Sequence, residues 1–341
     1  MTTPEQLLNK ILQDKSQADV AKWINVSTGT VKRWVQLEKV PKMYTFELLK
    51  MSGEHIDYSL FTYAEKDQFF TPKSTAKYCY SKILETLAFY GDNYNYVYIE
   101  PSAGNGRFLD ILPQDRRLGM DIEPRQKEII QGDFLDWKPD DTRKYIVIGN
   151  PPFGLRGQLA LKFINHSSEF ADYVCFILPQ LFESDGKGVP RKRVNALNLV
   201  HSENIDTDFE TPEGKNIKVN CVFQIWSKFH TNSNYTQNKP DCDYVKIYSL
   251  SDGGTPSTTR NKKMFNDCDI YLPSTVFGKE NMKWYNSFDE LPRRKGYGIK
   301  FTRDAILNVK KFKEIVWSDV AFMSTNSAYN IRTSQILNEL I

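Results

Sequence analysis

The chain has few cysteines and no pairing pattern among them. Cys79, Cys175, Cys221, Cys242 and Cys268 are scattered, odd in number and without a C-x-x-C spacing. This excludes a disulfide framework or a thiolate zinc site as the organising feature, and it predicts reduced thiols in a cytoplasmic protein. Long apolar runs are also lacking. None approaches the roughly 18 residues of a membrane span, and the first residues lack the apolar stretch of a secretory signal. Neither a membrane partner nor export is therefore expected. No segment repeats internally, which excludes a repeat array.

What is present is ordinary in bulk. At 341 residues the chain is long enough for two or three domains with sizeable cores. A hydrophobic content of 40% and a charged content of 26% fit a soluble globular protein. The 21 Phe and 18 Tyr suffice for a core and also for stacking surfaces. The net charge of +3 is unevenly spread. Residues 251–313 hold 13 Lys plus Arg against 7 Asp plus Glu, which leaves the rest of the chain at −3. A basic C-terminal third suits a polyanionic partner, and equally a solvated lysine-rich face.

Residues 4–52 read as a small helical unit. Residues 68 to about 230 alternate strand and helix patterns, with strands expected at 96–100, 116–122, 144–150, 172–179 and 216–226 and helices at 73–91 and 157–170. Apolar strands alternating with helices predict an α/β domain with a mostly parallel sheet. The polar run 230–241 reads as a linker. The expected division is 1–58, 59–230 and 231–341.

In such a sheet, ligands bind beyond the carboxyl ends of the strands. The stretch "YIEPSAGNGRFLDIL" (98–112) ends a strand with Glu100 and then offers Pro101, Ala103, Gly104 and Gly106 before a helical pattern. Glycines let backbone approach a ligand closely, and a helix start offers free N–H groups. The loop is neither G-x-G-x-x-G nor followed by a P-loop lysine, so a pyrophosphate site is disfavoured. Asp121 and Ile122 end the next strand, where an acid suits a ribose diol. Asp133 and Phe134 in "GDFLDW" suit the amino group and face of an adenine. In this order they describe a pocket for an adenosine-bearing cofactor without a pyrophosphate. No metal site is expected.

The ordered set resembles the amino-group DNA methyltransferases, class I S-adenosylmethionine enzymes of the gamma arrangement that targets adenine N6. The resemblance covers 68 to about 230, roughly half the chain. "QFFTPKSTAKYCYSKI" (68–83), with Phe70, Thr71 and Pro72, resembles that family's N-terminal cofactor motif. "EPSAGNGRFL" resembles its glycine-rich motif, "GMDIEP" its ribose-binding acid, "GDFLDW" its adenine loop and "GNPPF" its catalytic tetrapeptide. The resemblance implies a class I Rossmann-like fold, S-adenosylmethionine as cofactor and double-stranded DNA as partner. It further implies a C-terminal α+β target-recognition region and a cognate restriction enzyme as companion.

The tetrapeptide Asn150-Pro151-Pro152-Phe153 has a chemical logic. An exocyclic adenine amine is a poor nucleophile because its lone pair is delocalised into the ring. Two acceptors that bind both of its hydrogens favour a more tetrahedral nitrogen. Asn150's side-chain oxygen is one, and the resemblance implies the Pro151 carbonyl as the other, with Asn150 also beside the cofactor. Two prolines fix φ and stiffen the loop. Phe153 can stack on the base, and the resemblance places Phe209 as a second aromatic. The base must be flipped out of a duplex or already unpaired.

Three regions offer candidate DNA contacts. "QADVAKWINVSTGTVKRWV" (17–35) has a helix-turn-helix pattern. Val20, Ile24, Val26, Val31 and Trp34 sit at apolar positions, Ala21 at a crossing, Asn25 at the turn and Ser27 at a cap. Thr28, Thr30, Lys32 and Arg33 would face a major groove or phosphates. Lys187, Arg191, Lys192 and Arg193 lie in an expected basic loop, 183–197, as candidate phosphate contacts. Arg293, Arg294 and Lys295 form a basic cluster in the C-terminal region. Three other readings stay open: an RNA adenosine-N6 methyltransferase, a protein glutamine methyltransferase, and a catalytically idle DNA-binding regulator.

Overall fold

The computed structural model describes residues 3–24, 26–54, 56–57, 60–63, 66–183, 189–231, 242–256, 258–323 and 328–340. Asn25, Lys187 and the expected linker residues 232–241 lie outside the described residues. The chain forms two compact units, Met1–Tyr235 and Thr236–Ile341.

The first unit opens with helices α1 (Pro4–Asp14), α2 (Gln17–Trp23), α3 (Thr28–Leu37) and α4 (Thr45–Ser52). The first three begin at hydroxyl caps. Thr3 with Gln6, and Ser16 with Asp19, form reciprocal capping boxes. Ser27 Oγ accepts the Thr30 N–H at 3.1 Å, as the sequence predicts. Val20, Ala21, Ile24, Val31 and Trp34 share one core with Leu7, Leu8 and Ile11. Ser27→Ala is expected to lower stability by about 1 kcal/mol, read as a lower denaturation midpoint. An unchanged midpoint would show that the cap contributes nothing.

The unit continues with α5 (Lys73–Tyr90), β1 (Val97–Glu100), β2 (Arg117–Asp121), β3 (Ile130–Gln131), β4 (Tyr145–Gly149), α6 (Gln158–Ser167) and β5 (Tyr173–Pro179). Then come β6 (Asn198–Ile205), β7 (Asp208–Glu210), β8 (Asn216–Lys218) and β9 (Cys221–Ser227). One seven-stranded sheet runs in the order β3-β2-β1-β4-β5-β9-β6. The first five strands are parallel, and β9 runs antiparallel to β5 and β6. This is the mostly parallel α/β sheet that the sequence predicts, and its first five strands have the doubly wound order 3-2-1-4-5. Register is set at Ile99↔Val147 and Val147↔Val174. The central strands are buried on both faces, which is why they read as unbroken apolar runs. Ala76, Cys79, Ile83 and Leu87 of α5, and Ala160, Leu161, Phe163 and Ile164 of α6, join their core.

Two expectations are corrected. The predicted strand 216–226 is two strands, β8 and β9, because β8 folds back on β7 as a hairpin through a turn at Gly214 (φ 78°). No α-helix follows the glycine-rich loop. Only three-residue 3-10 turns form, at Leu109–Ile111 and Gln114–Arg116. Pro113 lacks an N–H and disfavours helical backbone at Leu112, so a longer helix cannot propagate.

The second unit is α+β. It contains β10 (Val245–Ser251), β11 (Ile270–Pro273), β12 (Thr275–Phe277), β13 (Lys295–Phe301), α7 (Ala305–Glu314), α8 (Trp317–Val320), β14 (Phe322–Met323), β15 (Ala328–Asn330) and α9 (Thr333–Asn338). Two antiparallel three-stranded sheets, β10-β13-β11 and β12-β15-β14, frame a core that includes Ile270, Leu272, Ile299, Phe312, Trp317 and Ile336. Among the described residues no helix is long and apolar enough to cross a membrane.

Candidate active site

β1 has β2 on one side and β4 on the other, so the sheet's order reverses between β1 and β4. A doubly wound sheet opens a crevice there, outside its carboxyl ends. Glu100 ends β1, and Asn150 directly follows β4. Glu100 is 3% exposed, and its Oε2 accepts the Leu109 N–H at 3.1 Å. Burial pushes its carboxyl well above the usual range, against that hydrogen bond, with Asp121 and Asp110 adding to the rise. Glu100 thus braces the loop from 101 to 109.

That loop carries the predicted cradle. The Ala103 N–H donates to the Met120 carbonyl at 2.9 Å, which ties the loop to β2. Gly104 has φ 52°, a left-handed conformation that favours glycine, and a Cβ there would sit a tight 3.1 Å from the Phe70 ring. Pro101 and Gly106 are buried in the same loop. The predicted Phe70-Thr71-Pro72 motif therefore packs onto the glycine loop, with the Arg125 guanidinium 4.9 Å from the Phe70 ring centroid. The Thr71 hydroxyl is buried without a hydrogen-bond partner among the described residues. It precedes α5, whose first turn has no side-chain cap.

The predicted ribose acid is fully engaged with backbone. Asp121 Oδ2 accepts the Gly104 N–H at 2.7 Å and Oδ1 accepts the Glu123 N–H at 2.8 Å. Burial raises its carboxyl, while these two bonds oppose the rise. Each oxygen retains a second lone pair for a hydroxyl. Ile122 is half-buried beside it. Asp133 caps a short 3-10 turn by accepting the Leu135 N–H at 3.0 Å. The Phe134 ring is not presented to a ligand, which corrects its predicted role as a stacking face. It is 1% exposed and packs against Phe163, His166, Phe170 and Trp137, because the turn aims it into the core.

Asn150 is held by its amide nitrogen. Nδ2 donates to the Phe69 carbonyl at 3.2 Å, and Oδ1 is buried with no partner among the described residues. Its backbone carbonyl accepts from Ser102 Oγ at 3.2 Å, which links the two loops. A small pocket is lined by Asp67, Phe69, Asn150, Pro151, Phe153, Phe209 and Val219. Pro152 is half-buried next to it. The structure thus brings together Asn150, Pro151 and Phe153 with Phe209, which lies 59 positions after Asn150. Phe209 arrives on β7, whose neighbour Glu210 exchanges two backbone hydrogen bonds with Phe70. Asp67, Phe69 and Val219 are lining residues that the sequence reading missed.

No protein-family model and no curated protein matches the chain. Solved structures do show a likeness. PH1948 of Pyrococcus horikoshii, described as a candidate RNA methyltransferase, is 19% identical over 48% of this chain and 86% of its own, with a TM-score of 0.36. A component of a type I R-M system is 12% identical over 77% of this chain and 67% of its own, with a TM-score of 0.35. Magnesium protoporphyrin IX methyltransferase from Synechocystis, with bound SAM, is 13% identical over 62% of this chain and 96% of its own, with a TM-score of 0.32.

The candidate DNA contacts fare unevenly. Thr28, Lys32 and Arg33 are exposed on α3, whereas Thr30 is half-buried with its hydroxyl 2.8 Å from Ser27 Oγ. Arg191, Lys192 and Arg193 lie in the 3-10 turn Pro190–Arg193. Arg193 is pinned to α6 by donating to Gln158 Oε1 at 3.0 Å. In the second unit Arg293 and Lys295 are exposed, and the Arg293 guanidinium sits 5.3 Å from the Phe277 ring centroid. Arg294 is exposed and already paired within the unit. Its guanidinium is spent on Asp252, at 2.9 and 3.1 Å, and on Asp289 at 2.5 Å.

Proposed function

We propose that the protein transfers a methyl group from S-adenosylmethionine to N6 of a flipped adenine in DNA. The observation that carries this reading is the Asn150 side-chain oxygen. It is buried and unpartnered among the described residues, in a pocket shared with Pro151, Phe153 and Phe209. The Phe69 carbonyl holds Nδ2, and this leaves the oxygen as the acceptor.

When bound, S-adenosylmethionine supplies a methyl group on a sulfonium. The residues present fit that group: the unpartnered Thr71 hydroxyl, the cradle at Gly104 and the carboxylate of Asp121. Thr71 and the uncapped start of α5 suit the carboxylate of an amino-acid moiety, and Asp121 suits a ribose diol. On the acceptor side, Asn150 Oδ1 and the Pro151 carbonyl take the two amine hydrogens and draw the nitrogen lone pair out of the ring. Stiff backbone at Pro151 and Pro152 keeps both acceptors in place. Alkylation makes the nitrogen acidic, so the chain need not supply a strong base.

The exposed Thr28, Lys32 and Arg33 on α3 favour duplex DNA over RNA, since a second short helix of this kind fits a major groove. Replacing Lys32 and Arg33 by alanine is expected to weaken DNA binding and to lower the salt slope by roughly 2, about 1 for each lost phosphate contact. An identical slope would assign α3 to a protein contact.

The deciding experiment is methyl transfer from labelled S-adenosylmethionine to unmethylated double-stranded DNA, RNA and a protein extract in parallel. Digestion to nucleosides locates the label. N6-methyladenine in DNA supports the reading, whereas label confined to RNA or to protein overturns it.

A further inference from the structure

Asp67 lies outside every motif used above, yet it lines the acceptor pocket beside Asn150 and Pro151. Its Oδ2 accepts the Gly154 N–H at 2.6 Å. Gly154 has φ 65°, and a Cβ there would sit 2.6 Å from Leu159 Cβ. The Phe153 carbonyl accepts the N–H groups of Leu159 and Ala160 at 3.1 and 3.2 Å. Leu155, the next residue along, packs against the N-terminal helical core. The segment from Asn150 to Gly154 is thus fastened at Asn150 by Phe69 and Ser102, and at its other end by Asp67. Of these three fastenings only Asp67 contributes a carboxylate. Asp67 is itself in left-handed backbone, φ 52°, which non-glycine residues rarely adopt. Such strain clusters at functional sites.

We propose that Asp67 is a positioning residue of the methyl-transfer site: by holding Gly154, its carboxylate sets the place of the Asn150 and Pro151 acceptors. The inference rests on reading this pocket as the acceptor site. It deepens that reading by adding an ionisable group to the fastenings at the outer end of the loop, beside the two bonds the Phe153 carbonyl makes with α6.

A carboxylate is a stronger acceptor for a backbone N–H than a neutral group. Burial raises the Asp67 pKa from its ordinary 3.8 to about 6, against the lowering effect of the Gly154 bond, and Glu47 of α4 adds to the rise. Among the described residues, Glu47 is the charged group whose field acts on it. Lys66, adjacent in sequence, is paired with Glu123 at 2.9 Å. The hold on Gly154 therefore tightens as pH rises through about 6, and kcat should rise with it. Stability runs the other way. The folded-state pKa lies above the unfolded one, so ionising this group costs stability as pH rises between 3.8 and about 6.

The test compares Asp67→Ala, Asp67→Asn and Asp67→Gly in the full chain. Three quantities are read: kcat and KM against pH, cofactor affinity, and hydrogen exchange of the amides at 150–158 without DNA. Asp67→Ala is expected to lower kcat by roughly 10²-fold, the scale of a small misplacement at a reacting centre, while cofactor affinity stays within about twofold. Its amides at 150–158 should exchange faster. Asp67→Asn should recover most of that loss, because its amide oxygen still accepts and asparagine tolerates left-handed backbone. It should also lose the acid limb near pH 6. Asp67→Gly relaxes the backbone but has no acceptor, so it should behave like Asp67→Ala. Wild-type kcat and exchange in Asp67→Ala would overturn the proposal. So would an Asp67→Asn variant no better than Asp67→Ala. Should the wild type methylate no adenine at all, the functional reading fails, and the exchange rates alone still decide whether Asp67 holds the loop.

Discussion

Asn150→Ala is expected to lower kcat by roughly 10²- to 10³-fold, the cost of removing one preorganised hydrogen-bonding group at a reacting centre. Cofactor affinity should stay close to its starting value. The large effect follows from the way the side chain is oriented. Nδ2 donates to the Phe69 carbonyl, which favours this orientation of the amide and leaves the buried oxygen as the unpartnered acceptor among the described residues. A group already in place costs no reorganisation when charge develops. Asn150→Asp separates orientation from acceptance. It keeps an acceptor oxygen but replaces Nδ2 with a second oxygen set against the Phe69 carbonyl, and it should fall between wild type and alanine. Single-turnover transfer to DNA measures this directly. Turnover within a few-fold of wild type in Asn150→Ala would sink the catalytic assignment.

The second large effect is on the cofactor. Asp121→Ala should weaken S-adenosylmethionine binding by roughly 10- to 100-fold, since a hydrogen bond to a charged group contributes about 1.5–3 kcal/mol. Two losses combine. The ribose loses its carboxylate, and the N–H groups of Gly104 and Glu123 lose their acceptor. The glycine cradle therefore loosens together with the diol contact. Asp121→Asn keeps one good acceptor and should lose less. Titration calorimetry reads both variants, and kcat at saturating cofactor should change little. Unchanged affinity in Asp121→Ala would mean that Asp121 is not the ribose ligand.

Local pattern carried much of the sheet and little of the long-range pairing. The strands at 97–100, 145–149 and 173–179 are buried on both faces, so their apolar runs announced them. The Ser27 cap and the apolar positions of α2 and α3 were legible because capping and burial obey short spacings. The β7–β8 hairpin was not, because only Val219 and Asn220 separate β8 from β9, so the two read as one continuous strand. Phe134 looked like a ligand face because a sequence does not say which way a three-residue turn aims its first side chain. Arg294 looked free because its partner Asp252 lies 42 residues away. Asp67 was one residue outside a recognised motif, and its hydrogen bond to Gly154 spans 87 residues.

The adjacency of β1 and β4 has a consequence for how such a protein can diversify. Glu100 and Asn150 stand at the ends of neighbouring strands, which a sheet keeps about 4.8 Å apart whatever happens elsewhere. The spacing of these two strand ends is therefore written into one rigid lattice inside the first unit. Residues 236–341 form a compact unit of their own. A chimera that exchanges them for another module should leave the spacing of Glu100 and Asn150 as it is, because both strands belong to the first unit.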